Sequence, residues 1–103
     1  MKRYKFLLTC MAGMSTSIVV KKMLNFAFEE EMDIDIKVFT LAEAISESDG
    51  YDLCLVAPQV SYEMQKLSDH MKCKVMLIDK VDYGNVDGKT ILQKAISFYE
   101  EDF

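Results

Sequence analysis

No apolar run in this 103-residue chain approaches the roughly 18 residues needed to cross a bilayer, so no segment reads as a membrane span. No Lys/Arg stripe is present either. Twelve Lys and Arg stand against seventeen Asp and Glu, and the formal net charge of −5 argues against a general nucleic-acid surface. One proline and four glycines leave no Pro/Gly-rich linker, and there is no repeat or low-complexity tract. One domain over residues 1–103 is expected. Three cysteines do not make an even disulfide framework, and no C-x-x-C occurs. The single histidine, His70, has no Cys/His cluster beside it, so neither a metal nor a cofactor is expected. The start, MKRYKFLLTCMAG, imitates a signal peptide, but its apolar run is short and ends in a Gly/Ser/Thr loop. A cytoplasmic protein with reduced thiols is the expectation.

Half of the residues are apolar and 28% are charged, as in an ordinary globule. Short apolar runs alternate with amphipathic ones. Strands are expected over 4–10, 33–39, 51–57 and 73–79. The first holds the continuous run Phe6, Leu7, Leu8 of a strand buried on both faces, and the second alternates strictly, like an edge strand. A helix is expected over 15–30, with Val19, Met23, Phe26 and Ala27 inward and Lys21, Lys22, Asn25 and Glu29 outward. Glu29, Glu30 and Glu31 oppose its dipole, so fraying is expected there. Thr40 and Glu43 form a capping-box pair that opens a short helix with Leu41, Ala44 and Ile45 inward. Pro58 ends the third strand, and Val60, Met64, Leu67 and Met71 follow at helical spacing. Residues 80–88 read as a loop, with Asp87 capping a last helix whose inner face is Ile91, Leu92, Ala95, Ile96 and Tyr99. Strands alternating with helices imply a three-layer αβα fold, doubly wound and flavodoxin-like. Its four-stranded parallel sheet is expected in the order 2-1-3-4. Ligands bind such sheets at the switch point, here between the ends of the first and third strands.

That place holds CMAGMSTS, residues 10–17. A thiolate at Cys10 could be stabilised by the helix N-terminus and by N–H groups of a loop wrapped around the sulfur. Gly13 permits an unusual backbone, and Ser15, Thr16 and Ser17 can donate hydroxyls. From these residues alone a second reading stands beside the first: Cys10 as a buried strand residue followed by ordinary turn chemistry. Walker A fails, because no Gly-Lys follows Gly13, and G-x-G-x-x-G fails because Gly13 stands alone. The small-phosphatase pattern Cys-x5-Arg-Ser/Thr fits in spacing, but Thr16 occupies the arginine position and Ser17 follows. With that pattern would go the small tyrosine phosphatase fold.

Residues 10–17 resemble the phosphocysteine loop of the IIB proteins of the sugar phosphotransferase system, in the lactose/cellobiose (chitobiose) class. Two later segments are also similar to that family: APQV at 57–60 and YGNVDG at 83–88. Met11 and Ala57 depart from the family's usual residues at their positions. The resemblance implies a phosphotransferase that relays a phosphoryl group. A IIA protein carrying phosphohistidine would phosphorylate Cys10, and Met11, Ala12, Gly13, Met14, Ser15, Thr16 and Ser17 would cradle the phosphoryl oxygens. Cys10 would then donate to a sugar, a β-linked disaccharide such as cellobiose, chitobiose or lactose, imported through the membrane IIC component. The protein would thus be peripheral to the inner face of the membrane through IIC. A relay must keep its phosphocysteine from water, which is one reason for Thr16 to replace a clamping arginine.

Around this loop, Gln59 at the switch point and Tyr83 on the later loop are supporting candidates, each with an alternative structural role. Asp79 and Asp82 fall where a general acid could reach the site, or else cap turns. Met11 and Met14 would form an adaptable apolar rim for IIA, or pack against the helix. Cys54 and Cys73 lie in apolar strands and are expected to be inert. The rival functions are a small cysteine phosphatase, a thiol redox protein and a non-catalytic anion-binding adaptor.

Overall fold

The computed structural model describes residues 3–10 and 13–101, and within these the side chains of 13–16 lie outside the description. Strand β1, Arg3–Thr9, carries Phe6, Leu7 and Leu8 with no exposed surface. It pairs in parallel with β2, Asp33–Phe39, on one side and with β3, Leu53–Val56, on the other. Strand β4, Lys74–Leu77, pairs in parallel with β3, so the order is β2-β1-β3-β4 as expected. β1 and β3 are central and their apolar runs are continuous. β2 is an edge and alternates, because only one side chain in two meets the core.

Helix α1, Gly13–Glu29, and helix α5, Gly88–Glu100, pack on one another. On that face of the sheet Tyr99 of α5 meets Tyr4 and Phe6 of β1 edge-on, with ring centroids 6.0 and 6.1 Å apart. Val19, Met23 and Ala27 are the buried stripe of α1, and Ile91, Leu92 and Ala95 that of α5. Phe26, Ile96 and Tyr99 are only partly covered. Helices α2, Leu41–Glu47, and α3, Met64–His70, complete the third layer. The Thr40–Glu43 capping box forms as expected: the Glu43 amide donates to Thr40 Oγ1 at 3.3 Å, and the Thr40 amide donates to Glu43 Oε1 at 3.1 Å.

Three local expectations change. The acidic end of α1, where fraying is expected, is closed by backbone hydrogen bonds. Glu31 adopts φ 57°, its amide bonds Phe28 O at 3.1 Å, and the Met32 amide bonds Ala27 O at 2.8 Å. This is a Schellman closure with glutamate in the left-handed position. After Pro58 the chain makes a 3-10 stretch, Pro58–Glu63, broken at Val60 (φ −115°), before α3 starts. The apolar spacing there spans two short helical pieces. The expected loop 80–88 contains a helix, α4, Lys80–Gly84, capped by Asp79. Asp87 does cap α5, accepting from the Thr90 amide at 3.2 Å.

Candidate functional site

Parallel strands all finish at the same end of the sheet, so the ends of β1 and β3 are neighbours. Thr9 pairs with Val56, and the Ala57 amide donates to Thr9 O at 3.0 Å. Cys10 therefore lies beside the segment that leads into Pro58, at the switch point of the sheet. It is also three residues before the first residue of the 17-residue helix α1, at the positive end of the helix dipole. Its residual exposure is 8%, against none for Cys54. Met11 and Ala12 lie outside the described residues. For Gly13, Met14, Ser15 and Thr16 only the helical backbone is described. Ser17 is exposed in the second turn of α1.

Gln59 and Tyr83 come together on the wall of a cleft of about 840 Å3, formed by the Pro58 turn, the end of β4, α4 and α5. Gln59 is exposed and Tyr83 is buried. Cys10 and Ser17 are not among the cleft's described lining residues. The cleft adjoins the end of β3 rather than enclosing the thiol.

The two aspartates are committed to other partners. Asp79 Oδ1 accepts from the amides of Val81 at 2.8 Å and Asp82 at 3.1 Å, and these bonds hold its carboxyl below the ordinary carboxylate pKa. Asp82 Oδ2 lies 2.6 Å from Lys94 Nζ. Each has a fixed partner on α4 or α5, which suits anchoring α4 better than donating a proton. Sequence reasoning missed α4 and the Lys94 contact. The signal was there: Asp79 with Asp82 three residues later is the acidic pattern of a helix start.

The other thiols are core groups. Cys54 is pushed up to about 12 by burial and by neighbouring Cys73. Cys73 is pushed up to about 11 by burial and by Asp52. His70 closes α3, with Nδ1 2.9 Å from Lys66 O. Among the described residues no three His, Cys, Asp or Glu side chains converge as metal ligands. Thr9, next to Cys10, is wholly buried, and its hydroxyl has no hydrogen-bond partner among the described residues.

Residues 5–94 match the family described as "PTS system, Lactose/Cellobiose specific IIB subunit". The chain belongs to this family. It is 35% identical over 96 residues to the oligo-beta-mannoside-specific EIIB component of Bacillus subtilis, covering 90% of this chain and 93% of that one. It is 33% identical to the galactose-specific EIIB component of Lactococcus lactis, covering 85% and 89%. A solution structure of the cellobiose-specific IIB component from Borrelia burgdorferi superposes with a TM-score of 0.82 at 28% identity, over 97% of this chain and 94% of that one. The lactose-specific IIB domain from Streptococcus pneumoniae shares the fold with a TM-score of 0.83 at 16% identity, over 96% and 100%. This chain is thus a IIB component of a sugar phosphotransferase system, and IIA and IIC partners follow in general terms from that membership. No helix among the described residues is long and apolar enough to cross a membrane.

Proposed function

We propose that Cys10 is the phosphoryl carrier of this IIB component. The Cys10 thiolate attacks the phosphorus of phosphohistidine on IIA. The S–P bond forms as the P–N bond breaks, and the imidazole leaves with the electron pair. A hydroxyl oxygen of the sugar bound to IIC then attacks the same phosphorus. The S–P bond breaks, the thiolate leaves with its electrons, and the hydroxyl proton passes to a base of the acceptor complex or to water. The observation that carries this reading is the position of Cys10: the end of β1, beside Ala57 and ahead of the α1 dipole. Positioning and charge stabilisation are most of what phosphoryl transfer asks of a protein. Low exposure of Cys10 supports a phosphocysteine shielded from water.

The loop 11–17 supplies N–H and O–H donors to the phosphoryl oxygens in this proposal, with Gln59 and Tyr83 supporting from the cleft side. Thr16 in place of an arginine leaves charge clamping to the partners during contact, so the isolated phosphocysteine is poorly set up for attack by water, which favours relay over hydrolysis. The acceptor is a sugar bound to the membrane component, in the range of the β-linked disaccharides. The protein works at the cytoplasmic membrane face as one domain.

The test is intact mass after incubation with phosphoenolpyruvate, the general phosphotransferase components and the cognate IIA. One phosphate mass is expected on the parent and none on Cys10→Ser. A Cys10→Ser variant that gains the same mass, or a parent that gains none, overturns the assignment.

A further inference from the structure

Strand β4 is the last in the sheet order, so no described strand pairs with its outer edge. After β4 the chain turns through α4 straight into α5, which returns to pack on α1. The position of a fifth strand is left empty. The backbone there is available for pairing. The Ile78 amide donates inward to Val56 O at 2.9 Å, so Met76 and Lys74, of the same parity, also face β3. Val75 and Leu77 therefore turn their N–H and C=O groups outward. Leu77 is 43% exposed.

The two edges of the sheet are guarded differently. β2 carries Asp33, Asp35 and Lys37, charges of the kind that deter strand addition. β4 has one charge, Lys74, and its ammonium is folded back onto Phe98, 2.8 Å from the carbonyl oxygen and 4.6 Å from the ring centroid.

Beside this edge the 840 Å3 cleft meets a second groove of about 780 Å3. The two share Met76 and Lys94, and together they run between β4 and α5 from Pro58 to Glu101. Met76, Leu77 and Phe98 give the trough apolar surface. Its charged groups are four carboxylates against two lysines, and Lys94 is already bound to Asp82. The trough is acidic, within a chain of net charge −5. That disfavours anionic headgroups and a second copy of the same trough, and it favours a basic occupant.

We propose that the open edge of β4 and this trough receive an extended, Lys/Arg-bearing cytoplasmic segment of the membrane component, which pairs as a fifth strand. The inference rests on the membrane-partner reading above. Cytoplasmic loops of membrane proteins carry an excess of Lys and Arg, and a strand added to a sheet edge takes affinity from the main chain and specificity from pockets for alternate side chains. Here the Met76 trough is the pocket. Docking along β4 leaves the end of β1, with Cys10, uncovered for the reaction.

Hydrogen exchange tests this directly. The Val75 and Leu77 amides of the full chain are expected to exchange about tenfold more slowly or better when the cognate membrane component in nanodiscs is added, a change equal to about 1.4 kcal/mol. Two variants block the edge without touching the relay residues: Leu77→Lys, at an exposed position, and Val75→Pro, whose lost N–H is an outward one. Each is expected to raise the KM for the membrane component in sugar phosphorylation about tenfold, while phosphorylation of Cys10 by IIA keeps its rate. If Val75→Pro does not fold, Leu77→Lys carries the test. Unchanged exchange at these amides with the membrane component present overturns the proposal, as does parental KM in Leu77→Lys. Equal protection from anionic vesicles alone, or from raised concentration of the protein alone, assigns the edge to lipid or to a second copy and also overturns it. Failure of Cys10 to take up phosphate would sink the relay while leaving the exchange result to decide the docking.

Discussion

Gly88 lies directly against the backbone of Met23: a Cβ at Gly88 would fall 2.5 Å from the Met23 nitrogen and 2.6 Å from the Lys22 carbonyl carbon. The first turn of α5 is thus pressed into the middle of α1, the helix that starts just after Cys10. Backbone on the other side of the contact cannot rotate away as a flexible side chain could. Gly88→Ala should therefore destabilise the fold by about 1–3 kcal/mol, read as a lower urea midpoint at unchanged slope. A midpoint equal to the parent's would show that the two helices separate freely.

Glu31 closes α1 in the left-handed region at φ 57°. For a residue with a Cβ that conformation costs roughly 1–2 kcal/mol, and glycine escapes it but pays more unfolded-state entropy. Glu31→Gly should raise stability by up to about 1 kcal/mol, and it also removes a negative charge from the negative end of the dipole. Thermal unfolding of the variant below the parent would refute this account of the closure.

Thr9 buries a hydroxyl without a partner among the described residues, at a position paired with Val56. Thr9→Val keeps the shape and removes the unsatisfied group, for an expected gain of about 1 kcal/mol in denaturant unfolding. Phosphorylation of Cys10 should persist in this variant. A stabilised protein that no longer accepts phosphate would move the hydroxyl from packing into the chemistry.

Alkylation should separate the three cysteines. With Cys73 pushed up to about 11, only about one molecule in a thousand carries its thiolate at pH 8. Cys54, pushed up to about 12 and without exposed surface, should not react before unfolding. Iodoacetamide at pH 8 is expected to label Cys10 first, by peptide mass. Labelling of Cys73 should rise about tenfold per pH unit up to its own pKa. Faster labelling of Cys73 than of Cys10 at pH 8 would count against a reactive Cys10.

Three carboxylates bonded to helix starts make stability depend on acid. Asp79 and Asp87 are held below their ordinary 3.8, and Glu43 below 4.5, chiefly by hydrogen bonds from their own turns. The folded state binds these protons less readily than the unfolded chain does. Their contribution is complete above about pH 4.5 and is lost as pH falls through the lower folded values. Asp79→Asn and Asp87→Asn keep a capping oxygen but no longer titrate. Each should flatten the fall of the urea midpoint below pH 4. A slope identical to the parent's would show that these caps are not linked to folding.

Residues 80–88 read as a loop, yet α4 forms there, capped by Asp79 and held by a contact from Asp82 to Lys94, twelve positions away. No described glycine has positive φ. Glu31 and Val86 occupy that region instead, held there by the elements on either side. Gly88 is needed for its missing Cβ, a requirement imposed by a helix 65 positions earlier. The Gly88 packing and the Asp82–Lys94 contact are set by distant segments and could not be read from a window of sequence, whereas the Asp79 cap of α4 is a local signal.

What the amino-acid order determined by itself was periodic or local. A continuous apolar run marked β1 as buried on both faces, alternation marked β2 as an edge or half-exposed strand, and Thr40 with Glu43 built its capping box. Right-handed crossovers narrowed the strand orders to a few, and in the favoured order 2-1-3-4 Cys10 falls at the switch point. Tertiary structure decided the rest: the Gln59–Tyr83 cleft, the pairing of Asp82 with Lys94, and the outer edge of β4. Those depend on which segments meet in space, and only the packed chain brings together residues whose separation in sequence carries no period.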